Sequence, residues 1–445
     1  MSVQSGTQAR RVWLRGLPAH IWLLVMIGLQ LVWIAGIWLT GAAVRADKLL
    51  PLAVYTLLTG TAVFLLSPWL RQRLQNITRL ALGHPRHTLA FLCLAVLLVG
   101  TLYAARQRVW AFDEEGNVAA ATIVAEQGVP ELFANYGKRP WLGRQHPPLV
   151  PILYGLVLRL VGTDLLVARL VSLVFTLGVG LLTWRMGIHL YDQQTGLLGF
   201  ALLFAMPLVW RLGTAAMVEM PLTFFFTLTL YLTLRLIATP RRWLPPVVGA
   251  VAGAGLLSKY TMVFVFPIMT GWFVLSGELR RMVRHFGLLV LCGVVLFAGW
   301  VLLAADLGVW QTQLKTVLTY AGLVLTNDYG RKVLFETVTN RLPSSLGVYN
   351  VPLMLLGLTV LWQTRTRSDK FLLIWIVSIW LPLLFTLPDH RYFLPSFPAV
   401  ALLMARGVMT LRSWRETAVL WCWLSCGGAL YLFIDWVRAA ELFVR

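Results

Sequence analysis

Charge is what this sequence lacks most. Charged residues fill 13% of its 445 positions, about half of the ~25% usual in a soluble domain. That excludes water as the only solvent. Acids are scarcer still, with 18 Asp and Glu against 38 Lys and Arg for a net charge of +20. Only four cysteines occur, Cys93, Cys292, Cys422 and Cys426, all inside apolar runs. Their spacing fits neither a zinc site nor a disulfide framework. Gly- or Ser-rich stretches that would mark a linker are missing as well. The basic excess would suggest nucleic acid in a soluble domain. Here it sits in short patches between apolar runs, the pattern of loops lying against anionic lipid headgroups, so a nucleic-acid partner is excluded.

What the sequence has in quantity is apolar length. Hydrophobic residues make up 58% of the chain, in runs such as Ile21–Val44, Leu89–Ala105 and Leu165–Trp184. Each approaches the roughly 20 residues that a helix needs to cross a ~30 Å hydrocarbon core. Unalternated runs choose helices, which pair every backbone group internally. The expected fold is an all-α polytopic membrane protein with about 13 transmembrane helices. Spans are expected near 20–43, 49–68, 88–105, 165–188, 196–211, 217–237, 245–257, 260–276, 286–305, 346–362, 371–387, 393–411 and 417–437. Arg10, Arg11 and Arg15 precede the first run, which is too long for a signal peptide. Arg71, Arg73, Arg79 and Arg86 fix their loop, and with it the N-terminus, in the cytoplasm.

The short run Pro147–Val161, headed by prolines and carrying Arg159, decides everything after it. Were it to span, Arg235, Arg241, Arg242 and Arg280 would face outward, against the positive-inside rule. It is therefore read as re-entrant. Only Asp192, Glu278, Asp369 and Glu416 then lie inside, and the other acids gather at the outer face. A charge-orientation rule does not require this skew, and a site on the outer face explains it. The two long outer loops, 106–146 and 306–345, read as interfacial helices with an apolar face. Gly249 and Gly253 form one GxxxG pair, expected to pack helices.

Four groups of residues reach the outer mouth of these helices. Phe112-Asp113-Glu114-Glu115 leaves the 88–105 span, and Gly143-Arg144-Gln145-His146-Pro147-Pro148 heads the re-entrant segment. Arg211 through Glu219-Met220-Pro221 follows, then the isolated basic sites Ser258-Lys259-Tyr260 and Asp389-His390-Arg391-Tyr392. Each alone fits a helix cap or a headgroup contact. Together they place costly ionisable groups at membrane depth, where the default reading is functional.

The order of these motifs, continued by Gly162-Thr163-Asp164, Ala168-Arg169-Leu170 and Arg391-Tyr392-Phe393-Leu394-Pro395, resembles the GT-C class of polyprenyl-phosphate-dependent glycosyltransferases. The most similar groups within it are the protein O-mannosyltransferases and the lipid A aminoarabinose transferases. The likeness covers roughly residues 88–411. It implies that Asp113 is the catalytic base, Glu114 its motif companion, His146 a group facing the donor phosphate and Glu219 a second acid of the site. The hairpin at 20–68 is extra to the family, and Glu115-Gly116-Asn117 replaces an aromatic that often follows Asp-Glu.

The resemblance further implies four segments. These are an N-terminal segment with the extra hairpin (1–87), a catalytic membrane module (88–305), the second outer loop (306–345) and C-terminal helices (346–445). It places the chain in a bacterial inner membrane, with a polyprenyl-phosphate sugar as donor and a lipid, glycan or protein hydroxyl as acceptor. Displacement at the anomeric carbon needs one carboxylate to take the acceptor's proton and cations to hold the leaving phosphate. His146, Lys259, Arg169 and Arg391 are the expected clamp. No cofactor is demanded, although Asp113, Glu114 and Glu219 offer oxygen ligands to a divalent cation. The rival reading is a transporter or flippase of lipid-linked sugars. Against it stands the lack of paired broken helices in the hydropathy pattern.

Overall fold

A computed structural model of the chain describes residues 80–410, apart from 108–109, 139–141, 143–145, 348–349 and 387, together with positions 28, 31, 32, 35 and 76. The expected hairpin at 20–68 lies almost wholly outside the described residues. So do Arg10, Arg11, Arg15, Arg71, Arg73, Arg79, Arg139, Arg144 and the span at 417–437 with Cys422 and Cys426.

Every regular element among the described residues is helical. Helix α1 (Pro85–Arg106) leads to α2 (Glu114–Gln127), α3 (Val129–Ala134) and α4 (Leu149–Val161). Then come α5 (Leu165–Leu190), α6 (Gln193–Leu203), α7 (Pro207–Gly213), α8 (Glu219–Ala238) and α9 (Leu244–Ser258). A 3-10 turn, Tyr260–Phe264, precedes α10 (Val265–Ser276) and α11 (Leu279–Asp306). The second long loop holds α12 (Trp310–Ala321), α13 (Asp328–Glu336) and α14 (Leu342–Leu346). The last described elements are α15 (Val351–Thr364), α16 (Arg367–Phe385), a 3-10 segment His390–Ser396 and α17 (Phe397–Thr410).

Five helical segments among the described residues are long and apolar enough to cross a membrane, and up to eight if each bent pair is one span. The chain is a multi-pass membrane protein. α5 packs on α1, α6 and α8, and α17 fills the centre against α6 and α15. The expected GxxxG contact is present: a methyl group added at Gly293 of α11 would lie 3.2 Å from the Gly249 carbonyl.

The segment read as re-entrant, 147–161, forms the short helix α4. α4 has 13 residues, about 20 Å at 1.5 Å per residue. It starts beside His146, and the first turns of α5 carry Arg169 back to the carbonyls of Ala104 and Gln107. The chain after α4 thus returns to the end of α1, and α4 packs along α2. We call this end of the bundle the site end.

One expectation needs correction. The span expected at 196–211 is broken, because α6 and α7 meet at 69°. Met206 takes an extended conformation, as the residue before a proline must, and Pro207 restarts the helix without an N–H to satisfy. Residues 328–346 and α15 are likewise bent by 95°, with Gly347 at φ +87° and Pro352 in the first turn. The two breaks touch: the Asn350 side-chain amide donates to the carbonyls of Ala205 and Leu346. The second bend falls at the expected boundary between the outer loop 306–345 and the span 346–362. Apolar composition does not reveal where a proline will stop a run.

The α2–α4 contact depends on Gly155, where an added Cβ would lie 2.4 Å from Val124 Cβ and 2.6 Å from the Ala121 carbonyl. Gly155→Val should lower the stability of the detergent-solubilised protein by about 1–3 kcal/mol, the usual cost of overpacking. Thermal unfolding followed by tryptophan fluorescence checks this, and an unchanged midpoint would deny the close packing.

Candidate functional site

The site begins with a buried ion pair. Glu114 opens α2 and is fully buried, and Arg169, in the second turn of α5, is 2% exposed. Arg169 Nε donates to Glu114 Oε1 at 2.8 Å and Nη2 to Oε2 at 3.0 Å. Its Nη1 reaches the carbonyls of Ala104 and Gln107 at 3.1 and 2.6 Å. The carboxylate also accepts from the backbone N–H groups of Ala111 and Ala216, both at 2.9 Å. Such bidentate, fully hydrogen-bonded pairs are what make a buried charge tolerable. This pair joins the end of α1, the start of α2, the second turn of α5 and the segment before α8.

Arg169, expected in the phosphate clamp, is thus engaged by Glu114 and two carbonyls, and Glu114 by Arg169 and two backbone N–H groups. Both are turned into the protein and hold its parts together.

Asp113, immediately before Glu114, faces the other way. Its side chain is 57% exposed, and Oδ2 accepts from Arg391 Nη1 at 3.0 Å. Arg391 also donates through Nε and Nη2 to Asp389 Oδ2, at 3.0 and 2.8 Å. Burial would raise the Asp389 carboxyl, but His390 and Arg391 beside it hold it well below the usual carboxylate range. Asp389 therefore stays ionised throughout the neutral range and keeps Arg391 aimed at Asp113.

Two aromatic rings organise the cations. Phe112 lies between guanidiniums, with Arg211 Cζ at 4.2 Å and Arg391 Cζ at 4.5 Å from its ring centroid. Tyr392 lies between Arg391 Cζ at 5.9 Å and Lys259 Nζ at 4.2 Å. All four contacts fall within the ≈ 6 Å reach of a cation–π interaction. The order is Arg211, Phe112, Arg391, Tyr392, Lys259, a ladder of cations and rings along the site.

At the far end of the ladder, Lys259 Nζ donates to Glu219 Oε1 at 2.9 Å, and both side chains are buried. Lys259 stands where α9 gives way to the 3-10 turn, and Glu219 starts α8. Glu219 Oε2 is buried and accepts no hydrogen bond from any described residue. His146 lies close enough to act on the Glu219 carboxylate, and its carbonyl accepts from Tyr136 Oη at 2.7 Å. Of the residues expected at the site, Asp113, His146, Glu219, Lys259 and Arg391 therefore come together. Phe112, Arg211, Asp389 and Tyr392 join them without having been given roles. For Arg211 the signal was present, since a lone arginine between Pro207 and Pro221 is an ionisable group inside an apolar run.

The wall of the site joins the two long loops. Trp300 Nε1 of α11 donates to Tyr260 Oη at 3.1 Å, and Tyr260 Oη donates to Gln313 Oε1 of α12. Tyr136 packs edge-on against Trp300. α12 turns 110° from the second half of α11 and exposes Leu314, Val317 and Leu318. An apolar stripe on a helix turned sharply from a spanning one is the arrangement of an interfacial helix.

Among the described residues no three His, Cys, Asp or Glu side chains form a group able to hold a metal. Asp113, Glu114 and Glu219 do not converge; each faces a different cation.

Comparison with known proteins agrees with the motif resemblance. Residues 145–303 match the family described as dolichyl-phosphate-mannose-protein mannosyltransferase. No curated protein matches the sequence. The fold is similar to that of ArnT from Cupriavidus metallidurans in its apo state, with a TM-score of 0.59 at 16% identity over 75% of this chain and 62% of that one. The same enzyme bound to undecaprenyl phosphate gives 0.58 at 16% identity over 74% and 61%. The chain thus spans about three fifths of the length of ArnT. It resembles the GT-C glycosyltransferases both in its motifs and in its fold.

Proposed function

We propose that the chain transfers a sugar from a polyprenyl-phosphate donor to an acceptor hydroxyl, with inversion, at the non-cytoplasmic face of a bacterial inner membrane. The observation that carries this reading is the carboxylate of Asp113, exposed at the site end and held by one guanidinium beside a row of cations. The similarity of the fold to ArnT, one structure of which holds undecaprenyl phosphate, supports the donor class.

In this reading the acceptor oxygen attacks the anomeric carbon as the bond from that carbon to the phosphate oxygen breaks. Asp113 takes the acceptor's proton, and the bonding pair leaves with the polyprenyl phosphate. Arg391, Lys259 and His146 offset the charge that develops on the phosphate. Preorganised donors of this kind contribute about 3–4 kcal/mol each where water is excluded. No step is assigned to a metal. Glu219 keeps Lys259 charged and aimed, while its second oxygen remains available to a sugar hydroxyl. The donor's hydrocarbon tail stays in the lipid, which requires chemistry at headgroup depth.

One observation favours the rival reading of a carrier. Broken helices that meet, as at Asn350 and Ala205, are a recurring feature of transporters. Lipid-linked sugar flux in vesicles without acceptor would reveal such an activity. The transferase reading expects no flux above that of empty vesicles.

Neighbouring acids should respond oppositely. Asp113→Asn removes an exposed carboxylate, so folding should be unchanged while transfer falls by about 10²–10⁴. Glu114→Gln leaves Arg169 buried without its counter-charge and should cost about 3–5 kcal/mol of stability. Transfer from a radiolabelled polyprenyl-phosphate sugar, measured beside the melting midpoint, checks both. Full activity of Asp113→Asn would end the assignment.

A further inference from the structure

Phe112 carries an unusual backbone. Its φ is +49°, and among the described residues only Arg365 is another non-glycine with positive φ. In an L-residue with a bulky side chain this conformation is strained. Strain of this kind persists only where the surroundings over-determine it, and it clusters at functional positions. Phe112 is not buried for packing, since it is 38% exposed. What its backbone achieves is placement: the ring sits between Arg211 and Arg391, 4.2 and 4.5 Å from their guanidinium carbons.

Two guanidiniums brought to one ring repel each other. Arg211 comes from α7, beyond the break at Pro207, and Arg391 from the 3-10 segment after Asp389. Asp389, bonded to Arg391, also acts on Arg211. The Phe112 ring adds a contact to both guanidiniums, and Asp113 bonds Arg391. The Asp113 carboxylate, one residue on, is fixed in the same stroke.

We infer that Phe112 is a positioning residue whose strained backbone holds Arg211 and Arg391 as a two-guanidinium site for the phosphate of a lipid-linked donor, beside Asp113. The inference rests on the transferase reading for the identity of the donor, and it adds Arg211 to the cations that hold it. Planar guanidiniums suit the task because each can offer a phosphate two parallel N–H donors.

The test measures binding separately from transfer. Undecaprenyl phosphate, the neutral polyprenol and inorganic phosphate are titrated against the wild type and Phe112→Leu, Phe112→Tyr, Phe112→Asn and Arg211→Met variants of the full chain in detergent. Melting midpoints are recorded alongside. The wild type should bind undecaprenyl phosphate well above the polyprenol. Phe112→Leu keeps bulk but loses the ring and should weaken that binding about tenfold, as should Arg211→Met, while Phe112→Tyr should restore it. Asn tolerates positive φ, so Phe112→Asn should melt at or above the wild-type midpoint and yet bind weakly. A merely structural role would instead lower stability and binding together in Phe112→Asn, and that outcome overturns the inference. So does wild-type affinity in Phe112→Leu or Arg211→Met. Inorganic phosphate binding as tightly as the lipid would overturn the lipid-linked assignment. A chain that binds undecaprenyl phosphate through these residues but transfers no sugar would sink the transferase reading and leave this site standing.

Discussion

The pair between Glu114 and Arg169 is the constraint on which the site rests. Removing two charges from water costs several kcal/mol per ion, and here that cost is offset by two charge-assisted bonds between them and four to backbone groups. Those backbone groups belong to three separate stretches of chain. The pair can be satisfied only when the end of α1, the turn at Ala111 and the segment around Ala216 are all in place. A residue next to such a knot inherits its precision. Asp113 can be half exposed and still held in one place, because its neighbour is buried on every side.

The charges of the site come in balance, and the balance is uneven in space. Arg211, Arg391 and Lys259 face Asp113, Asp389 and Glu219. Glu219 is buried with Lys259, and Asp389 is pinned to Arg391, whereas Asp113 has one bond and an open side. A ring is a weaker partner for a cation than a carboxylate. Placing Phe112 and Tyr392 between the cations keeps them together without cancelling them. In the proposed reading an incoming phosphate meets positive charge already assembled. Pre-assembly of this kind removes reorganisation from the cost of binding.

Much of this was legible in the sequence, for reasons that differ by residue. Long apolar runs announce helices wherever they occur, so α1, α5 and α8 fall close to their expected bounds. Arginine placement led to the re-entrant reading of α4, because one short helix decides the side of every later loop. Asp113, Lys259 and Arg391 stood out as charges at the ends of apolar runs. Sequence could not tell Asp113 from Glu114, two adjacent acids of nearly equal chemistry, one open and one sealed. That difference arises from which way the chain turns at Phe112, a backbone angle no pattern of side chains records. The pairing of Arg169 with Glu114 was not legible for the same reason: an arginine at a helix start looks alike whether it faces a ligand or a buried carboxylate. The break at Met206 was missed because hydropathy averages over a proline.

Those breaks also bear on how the transferase reading accommodates parts reminiscent of a carrier. Arg211 reaches Phe112 only because α7 leaves the line of α6. A straight span through 196–211 would carry its last turn along the α6 axis, and Arg211 would then sit elsewhere. The break in turn leaves the Ala205 carbonyl without a helical partner, and the Asn350 amide supplies one from the other bent pair. The unwound backbone is thus satisfied by protein at depth, as any lipid-buried break must be. In a carrier, broken helices give a site two ways out. Here the Asn350 amide bridges the two breaks, and α7 delivers a guanidinium to the Phe112 ring, the arrangement that the transferase reading uses.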